Sequence, residues 1–401
     1  MEAKQSAENY KFLAAASVVL LFLGLIYAWS IFHAPFSLMF PSWTVSDLSM
    51  TFTISIIFFC VGNLASGRLT KRIGSGGIVR IAAALLLIGF VSVSRLDPYR
   101  PDQSLIGLHI FYGVFCGAGV GMGYNAVISS TVKRFTKGAG MILGILLMIY
   151  GFGGMILGSV INVLIAEAGL LRTFLVMAPV VAIVLVLGSF FIKPPDASAA
   201  VSNAEESGND HTPGQMLRTK VFWLFFVWKT VICSAGLLVI NSAAPIATAF
   251  GAPAALGLMV LIFNGAGRMA FGAAIDKLDR KRTMYISCIA LLLAGASLYT
   301  GALLHNVALV FIGLTLMGAC YGGAPTLSAY VVKLFFGGRH YSSNFSINTI
   351  MIVPAAIVGP LVSSILQERS DGSYNSTFLM IIGLAVAAFA LNAALNKLSK
   401  V

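Results

Sequence analysis

The sequence predicts an all-α integral membrane protein, with twelve transmembrane helices in two pseudo-symmetric six-helix bundles. Three observations carry this. Only 10% of the 401 residues are charged, whereas a soluble domain uses about 25% to cover its surface, and mean hydropathy is +0.91. Apolar stretches of about 20 residues, the helix length a hydrocarbon core demands, recur along the whole chain. The Lys and Arg residues lie in short clusters between these stretches, as positive-inside topology requires.

Taken in order, the spans of the first half run 10–32, 46–67, 78–96, 104–130, 139–166 and 172–192. Those of the second half run 221–248, 253–275, 284–304, 307–334, 343–367 and 376–396. The first is too long and too aromatic for a cleaved signal segment and lacks a small-residue cleavage site, so it reads as a retained helix. An even count puts both termini on one side. Twenty Lys and Arg then collect on that face, Lys4, Lys137 and Lys400 among them, against Arg95, Arg100, Arg172 and Arg369 on the other. That bias predicts a multi-pass protein of the cell (inner or plasma) membrane with cytoplasmic termini.

Between spans six and seven, PPDASAAVSNAEESGNDHTPGQ has the composition of a flexible linker. It divides the chain into a bundle at 1–192, a linker at 193–220 and a second bundle at 221–401. The halves echo each other: Phe111, Gly113, Gly123, Lys133 and Phe135 recur as Phe311, Gly313, Gly323, Lys333 and Phe335, and GRLTKRIG (67–74) recurs as GAAIDKLD (272–279). Such a repeat resembles the major facilitator transporters, whose substrate site lies near the midplane between the halves. The loop from Gly272 to Lys281 is similar to that superfamily's G-x-x-x-D-K/R-x-G-R-K, with Asp279 where Gly is usual. In the first copy, Lys71 stands where the acid is expected. By this resemblance Asp276, Lys277 and Arg280 form a cytoplasmic gate loop away from the substrate.

Several function classes are excluded. The net charge of +12 has no aromatic-basic interleaving and so does not point to nucleic acid. Five cysteines without a CxxC form neither a disulfide framework nor a metal site. No cofactor is expected. Paired intramembrane His, a metal cluster or an appended soluble domain would mark a membrane enzyme, and the sequence has none, so no enzymatic activity is expected.

The chemistry lies in the polar residues within spans. Arg268 sits about eight residues from the end of span eight, roughly 12 Å along the helix. A central Arg costs at least ~2.5–3.5 kcal/mol and must face a cavity or a partner. Every Asp and Glu lies in a tail, a loop or a span terminus, so Arg268 has no intramembrane counterion in the sequence. A substrate carboxylate, matched bidentately by the guanidinium fork, would complete the pair. Asn264, one turn earlier, shares that face and would orient the guanidinium, bind a substrate oxygen or pack as a helix amide. Tyr27, Tyr124, Tyr150 and Tyr321 sit within spans as core or site residues, with Asn125 next to Tyr124, and Asn348 lies in span eleven. Lys229 reads either as a snorkelling side chain or as a coupling group or second cation.

YAWSIF, GAGVGMGY, IYGFG, MLRTKVFW and FNGAGRMAFGAAIDK resemble the oxalate/formate antiporter family, related to the animal monocarboxylate transporters, over essentially the whole chain. The resemblance implies that Arg268 binds the substrate carboxylate and that Tyr27, Tyr124 and Tyr150 line the cavity. The Asn264–Arg268 spacing mirrors an Asp–Arg pair of the animal proteins, with Asn replacing the proton-coupling Asp. Where the dicarboxylate carrier has a span-eleven lysine, this chain has Ile352. The resemblance therefore implies one small monocarboxylate such as lactate or pyruvate. Symport with protons by a monomer is expected, and exchange of organic anions or export of another organic acid is the alternative.

Overall fold

The computed structural model describes residues 2–135, 138–193, 210–370 and 373–399. Lys137, Lys400 and most of the expected linker lie outside them. Among the described residues, regular structure is entirely helical. Span one is α1 (Glu2–Leu23), a 3-10 turn (Gly24–Ala28) and α2 (Trp29–Met39). Spans two and three are α3 (Val45–Val93). Span four joins α4 (Pro101–Leu108), a π-helical stretch (His109–Cys116) and α5 (Gly117–Arg134). Then come α6 (Ala139–Ala168), α7 (Leu170–Ser189) and a short α8 (Pro213–Leu217). The second half holds α9 (Lys220–Ala249), α10 (Ala254–Leu278), α11 (Arg280–Leu303) and α12 (Val307–Phe336). Span eleven breaks into α13 (Tyr341–Thr349) and α14 (Ile352–Glu368), and α15 (Asn375–Leu398) closes the chain.

Ten helical stretches among the described residues are long and apolar enough to cross a bilayer. One of them, Ser46–Val93, is 48 residues long and bends at Gly74, giving two passages. Adding the 25-residue α10 gives twelve. On α7, Phe174, Ala178, Val181 and Leu185 are buried while Val176, Val180, Ile183 and Leu187 are exposed. An exposed aliphatic stripe beside a buried one is what a helix shows when lipid covers its outer face.

The chain forms two compact units, Met1–Arg134 with Ile149–Glu206 and Tyr341–Ile347, and Phe135–Met148 with Ser207–His340 and Asn348–Val401. They differ from the sequence halves at two short segments, 135–148 and 341–347. In the first unit, α3 and α5 touch through backbone: a Cβ at Gly62 would lie 2.0 Å from the Ala118 carbonyl oxygen, and one at Gly121 2.0 Å from that of Phe59. Small residues permit this approach, which supplies the packing that a hydrophobic effect cannot supply within lipid. The second unit repeats the device on α10 and α12, with Gly267 against Ala319 and Gly322 against Asn264.

The loop repeat reappears in backbone conformation. Gly74 has φ 70° and ψ 166°, and Asp279, its counterpart, has φ 78° and ψ 168°. That region is essentially reserved for glycine and costs other residues about 1–3 kcal/mol. Asp279 offsets part of the strain by accepting the Arg282 N–H at 2.9 Å at the start of α11. Replacing an Asp cap by Gly loses only a few tenths of a kcal/mol. Asp279→Gly should therefore stabilise the protein by about 1 kcal/mol, read as a higher midpoint in thermal unfolding. An unchanged or lower midpoint would show that the cap outweighs the strain.

Candidate functional site

In the second unit, Arg268 lies ten residues before the end of α10, about 15 Å along the axis. The side chain is buried, 5% exposed, and faces neither lipid nor open solvent. Its Nη1 donates to the Leu147 carbonyl oxygen of α6 in a short hydrogen bond. Nε is buried with no acceptor. Among the described residues no carboxylate lies within 4.0 Å of the guanidinium. Burying an unsatisfied charged donor is costly, so the position is suited to an anion that arrives from outside.

The surrounding helices hold this arginine in place. Thr326 Oγ1 on α12 donates to the Arg268 backbone carbonyl at 3.1 Å. Gly144 on α6 admits the same carbonyl, which a Cβ there would meet at 2.5 Å. Asn264 is buried and turned toward α12, its Nδ2 3.5 Å from the Gly318 carbonyl oxygen. Tyr321 packs its ring on Gly236 of α9. Lys229 does not snorkel: it is 4% exposed, and its Nζ donates to Ser328 Oγ at 2.6 Å. Asn348 Nδ2 reaches the same hydroxyl at 2.7 Å, leaving Asn348 Oδ1 buried without a donor.

The gate-loop residues take three different positions. Asp276 accepts the N–H groups of Gly140 at 3.0 Å and Met141 at 2.8 Å. Gly138 precedes α6 and its carbonyl accepts from Ile142, so Gly138 is the N-cap. It has no side chain to satisfy the N2 and N3 donors that a cap normally takes. Asp276 does this from another helix, with its charge at the favourable end of the α6 dipole. Arg280 is buried over the Phe335 ring, 4.8 Å from its centroid, and donates to Ser399 Oγ at 2.9 Å. Lys277 is exposed.

In the first unit, the expected aromatics meet. Tyr27 meets Tyr150 edge-on at 5.4 Å between ring centroids, and Tyr150 lies 5.0 Å from Tyr124. Tyr27 sits in the 3-10 turn and is 40% exposed, so it is not the buried hydroxyl that its place within a span suggested. Tyr124 and Tyr150 are buried. Asn125 donates to Asn63 Oδ1 at 2.6 Å and accepts from Ser342 Oγ. The spacing that matches GRLTKRIG to GAAIDKLD makes Asn63 the counterpart of Arg268 and Gly67 that of Gly272. Sequence reasoning missed Asn63, Thr326 and Ser328. Asn63 was findable as an amide inside an apolar span; the hydroxyls were not, because Ser and Thr commonly satisfy themselves on their own helix.

The Major Facilitator Superfamily profile matches residues 11–304 and 230–399. The chain belongs to that superfamily. It is a multi-pass membrane transporter of small substrates, not an enzyme. It is similar to the oxalate:formate antiporter of Oxalobacter formigenes, 23% identical over 92% of this chain and 86% of that protein. It is also similar to the uncharacterized MFS-type transporter YhjX of Escherichia coli (strain K12), 26% identical over 81% of this chain and 80% of that one. Among solved structures, the proton:xylose symporter XylE superposes with TM-score 0.73 at 14% identity, over 97% of this chain and 96% of that one. FucP in the outward conformation gives TM-score 0.69 at 13% identity, over 97% and 99%. At such identities the likeness is one of fold.

Proposed function

We propose that this major facilitator carries small monocarboxylates of the lactate and pyruvate kind, in symport with protons, by alternating access of its two six-helix halves in a cell membrane with both termini cytoplasmic. The observation that carries the reading is Arg268, a permanent charge buried with an unpartnered Nε and, among the described residues, no carboxylate in ion-pair range. A substrate carboxylate would neutralise the guanidinium and lower the cost of occluding it. Ile352 leaves span eleven without the lysine of the dicarboxylate carrier, which favours one carboxylate. No Asp or Glu lies deep in a span, so the proton travels with the substrate and lactic acid is in effect the species moved.

Reconstituted into liposomes, the protein is expected to take up lactate several-fold faster with an acidic exterior than at equal pH. Uptake indifferent to the pH gradient would reject symport. Exchange of organic anions is the second reading. Lys229, a second buried cation, favours it, as does the relative named as an oxalate:formate antiporter. Stimulation of lactate or formate uptake by internal oxalate, with no response to pH gradient, would establish exchange.

A further inference from the structure

On α7 the exposed stripe Val180, Ile183 and Leu187 ends in two exposed rings, Phe190 and Phe191, and then in Lys193. On the second pass of α3 the exposed residues Ile88, Leu87 and Ile81 lead back to Arg80. Each set occupies successive turns of one helix face. The two helices meet at Gly76, one turn before Arg80. A Cβ there would lie 2.5 Å from the Ser189 carbonyl oxygen and 3.3 Å from that of Ile192, the neighbour of Lys193. Two lipid-facing stripes therefore converge, at one end of the first unit, on a guanidinium and an ammonium with aromatic rings beside them.

The Arg80 guanidinium lies over the Phe190 ring, 5.9 Å from its centroid. Among the described residues its one hydrogen bond is a long one, from Nε to the Gly76 carbonyl oxygen at 3.4 Å, and it caps no carbonyl of α7. No carboxylate among the described residues lies within 4.0 Å of Arg80 or Lys193. The cation–π contact holds the guanidinium against the wall and leaves both Nη groups to a ligand. This end of the unit is the one that the charge bias assigns to the cytoplasm, and the cytoplasmic leaflet carries anionic lipid.

From this geometry we infer that Arg80 and Lys193 bind the headgroup of an anionic phospholipid in the groove between α3 and α7. The fork takes two phosphate oxygens in its own plane, and Lys193 adds a point charge beside it. The acyl chains lie along Ile81, Leu187 and Phe190. A soluble anion would use the cations and leave the apolar stripes idle, whereas a phospholipid uses both. A choline headgroup would bring its own cation beside these two and be repelled, so a glycerol headgroup is favoured. The site is independent of Arg268 and of the carboxylate it receives.

Full-length protein in uncharged detergent is titrated with phosphatidylglycerol or phosphatidylcholine. Native mass spectrometry counts the bound lipid, and fluorescence follows thermal unfolding. Phosphatidylglycerol is expected to bind at least about tenfold more tightly than phosphatidylcholine and to raise the unfolding midpoint by mass action. Arg80→Gln combined with Lys193→Gln should bind it about thirtyfold more weakly than wild type, five- to sixfold per cation. Both side chains are exposed, so in detergent alone this variant should unfold at the wild-type midpoint. Arg218→Gln with Lys220→Gln removes the same charge from exposed positions of the second unit and should keep wild-type affinity. Wild-type affinity in the Arg80 and Lys193 variant would overturn the site. An equal loss in the Arg218 and Lys220 variant would reduce it to net charge, and equal binding of phosphatidylcholine would remove the role of the headgroup. Displacement of phosphatidylglycerol by inorganic phosphate would assign the cations to a soluble anion and overturn the lipid site. Should the double variant unfold early, Lys193→Gln alone decides: about a fivefold loss supports the site and none overturns it.

Discussion

Arg268→Lys is expected to bind lactate roughly 10–100-fold more weakly than wild type, since a hydrogen bond to a charged group contributes about 1.5–3 kcal/mol and each 1.4 kcal/mol is about tenfold. Lysine keeps the positive charge, so the variant isolates the planar fork from the charge itself. Its ammonium is also a shorter, more strongly hydrated group that cannot hold two carboxylate oxygens in one plane. Transport should fall with affinity. Thermal unfolding should change little, because the Thr326 tie is to the Arg268 backbone and survives the substitution. Calorimetry with acetate, lactate, pyruvate and oxalate checks this. Undiminished affinity for all four would mean that bidentate recognition is wrong. Retained affinity for oxalate alone would shift the main anchor to Lys229, another buried cation.

Gly322→Ala is expected to destabilise the protein by roughly 3 kcal/mol, at the upper end of overpacking costs. The added methyl would sit 2.0 Å from the Asn264 carbonyl oxygen, 2.8 Å from its carbonyl carbon and 3.0 Å from its Cα. All three atoms are backbone, so no rotamer change relieves the clash and α10 must move as a whole. Arg268 lies one turn beyond Asn264 and moves with it. Lactate affinity should therefore fall along with the unfolding midpoint. Gly383→Ala provides the contrast, because a Cβ there meets nothing within 4 Å. Removing a glycine from a helix interior at such a site should be neutral or stabilise by about 0.5–1 kcal/mol. If both variants unfold at the wild-type midpoint, the α10–α12 contact is looser than described.

Much of this site was legible in the chain because the signals are local. An arginine eight residues inside an apolar run needs no neighbour to be conspicuous, and the absence of intramembrane carboxylates follows from reading the sequence alone. The tyrosines at 27, 124 and 150 were legible as a set, and they do meet in one cluster. What they do individually was not. Tyr27 is 40% exposed in a 3-10 turn whose other residues are buried. Lys229 is turned onto Ser328, and no pattern along span seven distinguishes that from snorkelling.

Asp276 shows most clearly where sequence reading stops. Its motif announced a charged gate loop and named no partner for the carboxylate. The partner is the start of α6, more than a hundred residues earlier in the chain, where Gly138 leaves two amide donors without a cap. Class, number of passages, internal repeat and the unpaired arginine all follow from hydropathy and charge, which act residue by residue along a helix that lipid obliges to form. Which carbonyl the guanidinium holds, which hydroxyl receives the lysine and which helix end takes the aspartate depend on glycines that let two backbones touch, and only the folded chain decides which backbones those are.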